Sequence, residues 1–322
     1  DGRTIGFQSE ATDFDLVEVS LDGSPIRPFL SSTRNEFDPA ASPVNTQYAF
    51  VTDRTGHLEI WLQNQEGYLQ QPLVTAADFG NAPPMSVGSL AFSPDGRRLA
   101  FQRFDLQSEK VFGGPRVWIS SVAGGTPVAF GGEDDRYQDA PAWSPDGDWI
   151  AFIKGRIGEW SLAKARVGGG AAPVILKSGI PPFVARPQWS PDGRWIVCET
   201  SEGLTRVSSD GKGSSVIGSP GWLAYGWAPD SRRIYGLRPT EDQHHFMLVS
   251  VDALTGAERV INENLGTLPP ANQPIRGFSR LRDRGFLTSI ARVRSDIYLI
   301  EGFRLPPSWW ERWWPFRKAR EQ

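Results

Sequence analysis

Few residues in this chain are equipped for covalent or metal chemistry. Three histidines and a single cysteine, Cys198, stand among 322 residues. That leaves no internal disulfide and no multi-cysteine metal or cluster site. His244 and His245 are adjacent. Neighbours on a strand point to opposite faces, so this pair reads as solvated strand or loop. Cys198 ends the apolar run Trp195-Ile196-Val197-Cys198 and reads as an inert core thiol. The nearest approach to a Gly-x-Ser-x-Gly nucleophile elbow is Gly277-Phe278-Ser279-Arg280-Leu281, which lacks the final glycine. Gly168-Gly169-Gly170 is followed by no Lys-Ser/Thr pair and no helix signal, so it reads as an edge turn rather than a phosphate loop. Glu133-Asp134-Asp135 with Asp139 lacks calcium-loop spacing, and no glycosidase pair stands out among 37 acidic residues. The expectation is no catalytic residue, no metal and no cofactor.

The remaining candidates bind rather than react. Asp38, Ser89, Asp139, Arg186, Tyr225 and Arg276 all fall close to one position of a sequence repeat. Arg186 and Arg276 offer planar forks for a carboxylate or another anion. Tyr225 offers a stacking face or a hydrogen bond. The competing expectation is that the arginines pair with acids such as Asp139 and merely line a wet channel.

The elements that would carry these residues follow from the repeat. Ser93-Pro94-Asp95-Gly96 recurs as Ser144-Pro145-Asp146-Gly147 and Ser190-Pro191-Asp192-Gly193. Ala228-Pro229-Asp230-Ser231 and Ser42-Pro43-Val44-Asn45 are weaker copies. Asp1-Gly2-Arg3 is the tail of another, and Ser279 to Gly285 is a degenerate last one. From Ser42 onward the spacings are 51, 51, 46, 38 and 51 residues, the period of a propeller blade. An aromatic precedes most copies, as in Phe92, Trp143, Trp189, Trp227 and Phe278, and apolar runs follow. Each copy therefore holds about four short strands. Within the motif, proline presets φ, aspartate bonds local backbone, and glycine takes the left-handed conformation that closes the hairpin. The aromatic is expected between blades. Two residues before the motif serine lie Ala40, Ala91, Ala142, Gln188, Gly226 and Gly277, mostly small, as suits strands crowded around an axis. The fold class is all-β: a β-propeller of four-stranded blades, with seven blades expected and six as the alternative if the terminal copies merge or one lies outside the ring.

With these motifs the sequence resembles TolB-like propellers built of PD40 (WD40-like) repeats, over residues 1–303. The ending Ser295 to Phe303 resembles the last blade of bacterial multidomain regulators. That resemblance implies a non-enzymatic sensory or interaction domain of a transcriptional regulator- or kinase-type protein, on the periplasmic or extracytoplasmic side of a membrane. Cytoplasmic placement stays open. It also implies a partner protein or small ligand at the propeller face. The alternatives are the gating domain of a serine peptidase and a free-standing periplasmic interaction scaffold. The chain opens inside a motif and reads as a piece of something longer. A net charge of −3, from 34 basic and 37 acidic residues, gives no reason to expect nucleic acid.

Residues 304–322 break the repeat. Trp309, Trp310, Trp313 and Trp314 would share one helical face beside Arg317 and Lys318. Such a tail would fold back on the propeller, touch a membrane interface weakly, or dock on a partner.

Overall fold

The computed structural model describes residues 4–67, 70–80, 85–105, 114–131, 137–156, 158–181, 186–269, 274–282 and 284–301. The tail tryptophans Trp309, Trp310, Trp313 and Trp314 and the acidic run Glu133-Asp134-Asp135 lie outside these residues. The chain forms two compact units, residues 13–292 and a smaller one combining 1–12 with 293–322.

Among the described residues the strands form six four-stranded sheets. Blades one to five each use consecutive strands, from the inside out. Blade one runs from Glu36–Ala41 to Gln70–Val74, blade two from Met85–Phe92 to Val128–Ala129, and blade three from Tyr137–Trp143 to Val174–Ser178. Blade four runs from Gln188–Trp189 to Ser214–Gly218, and blade five from Ala224–Trp227 to Glu258–Thr267. Blade six joins both ends of the repeat, in the order Ile275–Leu281, Gly285–Glu301, Thr4–Ser20, Arg27–Leu30.

Six blades, not seven, close the ring. The expectation of seven counted the first and last copies as separate blades, each with its own short strands. Instead, Thr4–Ser20 and Gly285–Glu301 are each one continuous strand of 17 residues. Neither Phe7–Ser20 nor Phe286–Glu301 contains a glycine or proline to turn the chain. Each terminal copy therefore supplies two strands, and together they make one blade.

The motif turns form as their chemistry dictates. Gly96, Gly147 and Gly193 take φ of 67°, 76° and 72°. The serine is the hub of the turn. Ser93 Oγ donates to Asp95 Oδ1 at 2.5 Å and accepts the Arg98 N–H at 2.9 Å. Asp95 in turn accepts the Arg97 N–H at 3.1 Å. The same set recurs at Ser144 and Ser190.

The hydrophobic core is divided by blade, with clusters centred on each of the six blade–blade contacts. The motif tryptophans stitch neighbouring innermost strands. Trp143 Nε1 donates to the Ala91 carbonyl at 3.0 Å, Trp189 to Ala142 at 3.1 Å, and Trp227 to Gln188 at 2.9 Å. Each indole thus fills an apolar gap and satisfies its one donor on the preceding blade.

Blade six departs from the motif alignment by two residues. Its innermost strand bulges between Arg276 and Ser279, as blades one, two and three bulge at Phe37/Ala40, Gly88/Ala91 and Asp139/Ala142. Gly277, at φ 67°, thereby matches the left-handed Asp38, Ser89 and Ala140 at 48°, 52° and 49°. Ser279 takes the axial position, and its Oγ accepts the Ala41 N–H of blade one at 2.8 Å. Ala40, Ala91, Ala142, Gln188, Gly226 and Ser279 line an axial cavity of about 350 Å³.

Gly277 is needed for packing more than for its φ, because Ala140 tolerates the equivalent conformation. A Cβ on Gly277 would lie 2.8 Å from the rigid Pro39 ring of blade one. We expect Gly277→Ala to destabilise by about 2–3 kcal/mol in denaturant unfolding, whereas a loss below about 0.5 kcal/mol would refute this packing account.

Candidate functional site

In blades one, two, three and six the innermost-strand bulge decides what reaches the channel mouth. It inserts one residue and re-aims the side chains on either side of it. In blades one, three and four the mouth residue precedes a proline: Asp38-Pro39, Ala140-Pro141 and Arg186-Pro187. In blades one and three, where the ladder is interrupted, proline has no N–H to leave unpaired. This recurrent pair is a sequence signal for the mouth in addition to the motif spacing.

Five of the six expected residues line one cavity of about 170 Å³: Asp38, Ser89, Asp139, Arg186 and Arg276. They come from blades one, two, three, four and six. Asp38 is 7% exposed. Its Oδ2 accepts the Ser89 N–H at 3.0 Å, and its Oδ1 lies 3.4 Å from Arg186 Nη1. A Cβ on Gly88 would come within 2.6 Å of Asp38 Oδ2, so the glycine makes room for this carboxylate. Asp139 Oδ1 accepts the Ala140 N–H at 2.5 Å and the Ser89 hydroxyl at 3.4 Å. Burial pushes the Asp139 carboxyl above the usual aspartate range, with the Ala140 N–H and Arg186 opposing and Asp38 adding to the rise.

Arg276 lies over the rings of Phe14 and Phe37, at 4.6 and 5.0 Å from their centroids. Its Nε is buried and makes no hydrogen bond. Burial lowers its pKa against the pull of Asp38, yet a guanidinium stays charged at neutral pH. The mouth is therefore lined by a guanidinium held in place over two aromatic rings, with its Nε buried and unpaired.

Tyr225 is not a mouth group. It is buried, and its hydroxyl accepts the backbone N–H of Arg186 at 3.0 Å and of Glu199 at 2.9 Å. It tethers the segment carrying Arg186 rather than offering a stacking face. Gln102, on the second strand of blade two opposite Gly88, lines the cavity too. The repeat gives no signal there, since only innermost strands carry the motif spacing. Phe14 and Phe37, which hold Arg276, were also not legible.

Elsewhere the chemistry is quiet. Burial pushes the Cys198 thiol up to about 12. His244 and His245 belong to an exposed hairpin end, with His245 Nδ1 3.7 Å from Asp242. Gly168-Gly169-Gly170 lies in the turn before the outermost strand of blade three. Among the described residues no group of three or more His, Cys, Asp or Glu side chains is placed to hold a metal ion.

A six-bladed ring of motif-bearing blades with a charged channel mouth defines a repeat propeller. A family model for the TolB beta propeller domain, PD40, matches residues 6–271, and the chain belongs to that family. It is 28% identical over 151 residues to the uncharacterized protein Atu1656 of Agrobacterium fabrum, covering 44% of this chain and 47% of that one. It is 35% identical over 87 residues to the uncharacterized peptidase YuxL of Bacillus subtilis, covering 27% of this chain and 13% of that one. The matches thus span about half and about an eighth of these relatives' lengths. Among solved structures, a putative TolB from Agrobacterium tumefaciens superposes with a TM-score of 0.63 at 16% identity, covering 89% of this chain and 99% of that one. A Mycobacterium tuberculosis puromycin-hydrolyzing peptidase superposes with a TM-score of 0.57 at 17% identity, covering 84% and 46%. At these identities the likeness is one of fold.

The Asp139 geometry sets a pH dependence. Below the ordinary aspartate pKa the carboxyl is protonated in both folded and unfolded chains and costs nothing. As pH rises toward the elevated folded value, the unfolded chain ionises first and gains. Asp139→Asn keeps the Oδ1 acceptor and removes the charge. We expect it to raise the unfolding midpoint at pH 7, with the gain shrinking toward pH 4. A midpoint gain independent of pH would contradict the assignment.

Proposed function

We propose that this propeller is a non-enzymatic binding module that recognises a partner protein at the mouth formed by Asp38, Ser89, Asp139, Arg186 and Arg276. The observation that carries the reading is the Arg276 guanidinium. It is fixed over two phenylalanine rings, its buried Nε is unpaired, and it faces a cavity shared with Arg186. Such an arrangement suits a planar anionic group on a partner. Ring closure adds rigidity, so little ordering is needed on binding. The sensory role within a regulator- or kinase-type protein rests on the last-blade resemblance alone, and an extracytoplasmic position goes with it.

A second reading is favoured by a specific observation, the fold likeness to a puromycin-hydrolyzing peptidase and the short match to YuxL. In that reading the propeller gates a hydrolase domain. A hydrolase domain encoded in the same polypeptide of the source gene would select it.

The binding reading is tested by site-specific photo-cross-linking in the native host. A photoreactive amino acid at Gln102, within the mouth, is compared with one at Val128, 68% exposed on an outer strand. A discrete protein adduct from position 102 alone is the expected result. Equal labelling from both positions, or none from position 102, would contradict the reading.

A further inference from the structure

Asp38 and Arg186 belong to blades one and four. The innermost strands contact one another in the closed order one to six and back to one. In a ring of six, blades one and four are diametrically opposite. The Arg186–Asp38 ion pair, at 3.4 Å, therefore crosses the channel axis instead of joining neighbours. Arg186, Ser89 and Ala140 line both the 170 Å³ mouth cavity and the 350 Å³ axial cavity, so the pair lies where the two meet.

Asp38 is held for this task. It takes a left-handed φ of 48°, its Oδ2 is anchored by the Ser89 N–H, and Gly88 leaves the room that its carboxylate fills. Opposite it, Arg186 is placed by the Tyr225 tether on its backbone. The other guanidinium of the mouth, Arg276, has no hydrogen bond at Nε. One arginine is paired with a carboxylate of the chain itself, and the other rests on two phenylalanine rings.

We propose that Asp38 is a built-in stand-in for a ligand carboxylate: an incoming carboxylate takes Arg186 from Asp38, is received by Arg276, and opens the bar between the two cavities. This rests on the mouth being the binding site, as proposed above. It adds the class of ligand group and makes Asp38 a competitor of the ligand. The mouth volume corresponds to about five or six waters, room for one carboxylate-bearing side chain rather than a large cofactor. Asp139 sits beside the bar and adds negative charge when ionised. Asp38, Asp139, Arg186 and Arg276 are the charged groups lining this cavity.

The test is a binding series read by calorimetry. The probes are a tetraglutamate peptide, acetate and inorganic phosphate, titrated into wild type, Asp38→Asn, Gly88→Ala and Arg186→Gln. Asparagine accepts a left-handed φ and retains the side-chain oxygen, so the first variant is built to fold. Gly88→Ala keeps the Asp38 charge but pushes its carboxylate off the Ser89 N–H. The expected result is tetraglutamate binding at least fivefold tighter in Asp38→Asn, an intermediate gain in Gly88→Ala, and a loss in Arg186→Gln. Acetate matching tetraglutamate in this pattern would assign the site to free carboxylates rather than to a peptide, with the competition upheld. Preference for phosphate over both would overturn the ligand class.

A double-mutant cycle of Asp38→Asn and Arg186→Gln in denaturant unfolding examines the bar without any ligand. Zero coupling would overturn the bar even if the mouth binds. Tetraglutamate binding that is unchanged or weaker in Asp38→Asn would overturn the competition and leave the mouth as a binding site. Failure of every variant to bind any probe overturns the proposal, whereas the cross-linking result bears on the mouth independently.

Discussion

Six innermost strands have to share one axis, and most of the molecule follows from that crowding. Small side chains occupy the axial position in five of six blades, as Ala40, Ala91, Ala142, Gly226 and Ser279. The strands approach closely enough for a tryptophan of one blade to donate to a backbone carbonyl of the one before. In blade one, which has Ala41 in the aromatic's place, the Ala41 N–H meets Ser279 Oγ instead. Bulges appear in the innermost strands of four blades, each with a left-handed residue, because a regular ladder would send alternate side chains into the axis. The bulge turns them toward the mouth, so the same crowding that closes the ring also assembles its charged rim.

The rim mixes signs, which shapes its chemistry. Two carboxylates and two guanidiniums face a cavity of about 170 Å³. Their pairing is incomplete: Arg186 reaches Asp38, Asp139 turns to the Ala140 N–H and Ser89, and Arg276 rests on phenylalanine rings. An arginine on an aromatic platform is held without its donors being used up. A partner group that completes the set gains charge-assisted hydrogen bonds in a partly desolvated place, where they are worth more than at an open surface.

Much of this was legible in the sequence, for identifiable reasons. The Ser-Pro-Asp-Gly turn repeats its chemistry residue by residue, so strand order and the mouth position could be counted from it. Asp38, Ser89 and Arg186 were found by that count, with Asp139 and Arg276 beside it. The count failed where the motif decays. Ser279 looks like the last motif serine, but the bulge at Gly277 puts Leu281 in that place and Ser279 on the axis. The blade number failed for a related reason. Short apolar runs near each terminus resemble separate strands, and only the absence of turn residues between them marks one long strand each. Tyr225 was identified by position, yet its role depends on two backbone N–H groups that no local pattern reveals.

The central claim is that the arginines of this one mouth receive the ligand group. It is tested most directly by following the arginine Nε–H resonances of ¹⁵N-labelled protein during titration with tetraglutamate. Arg280 and Arg282, which line the axial cavity and not the mouth cavity, serve as internal controls. The account predicts saturable shifts at Arg186 and Arg276 with the controls unmoved. Shifts confined to Arg280 and Arg282, or spread evenly over surface arginines, would contradict it.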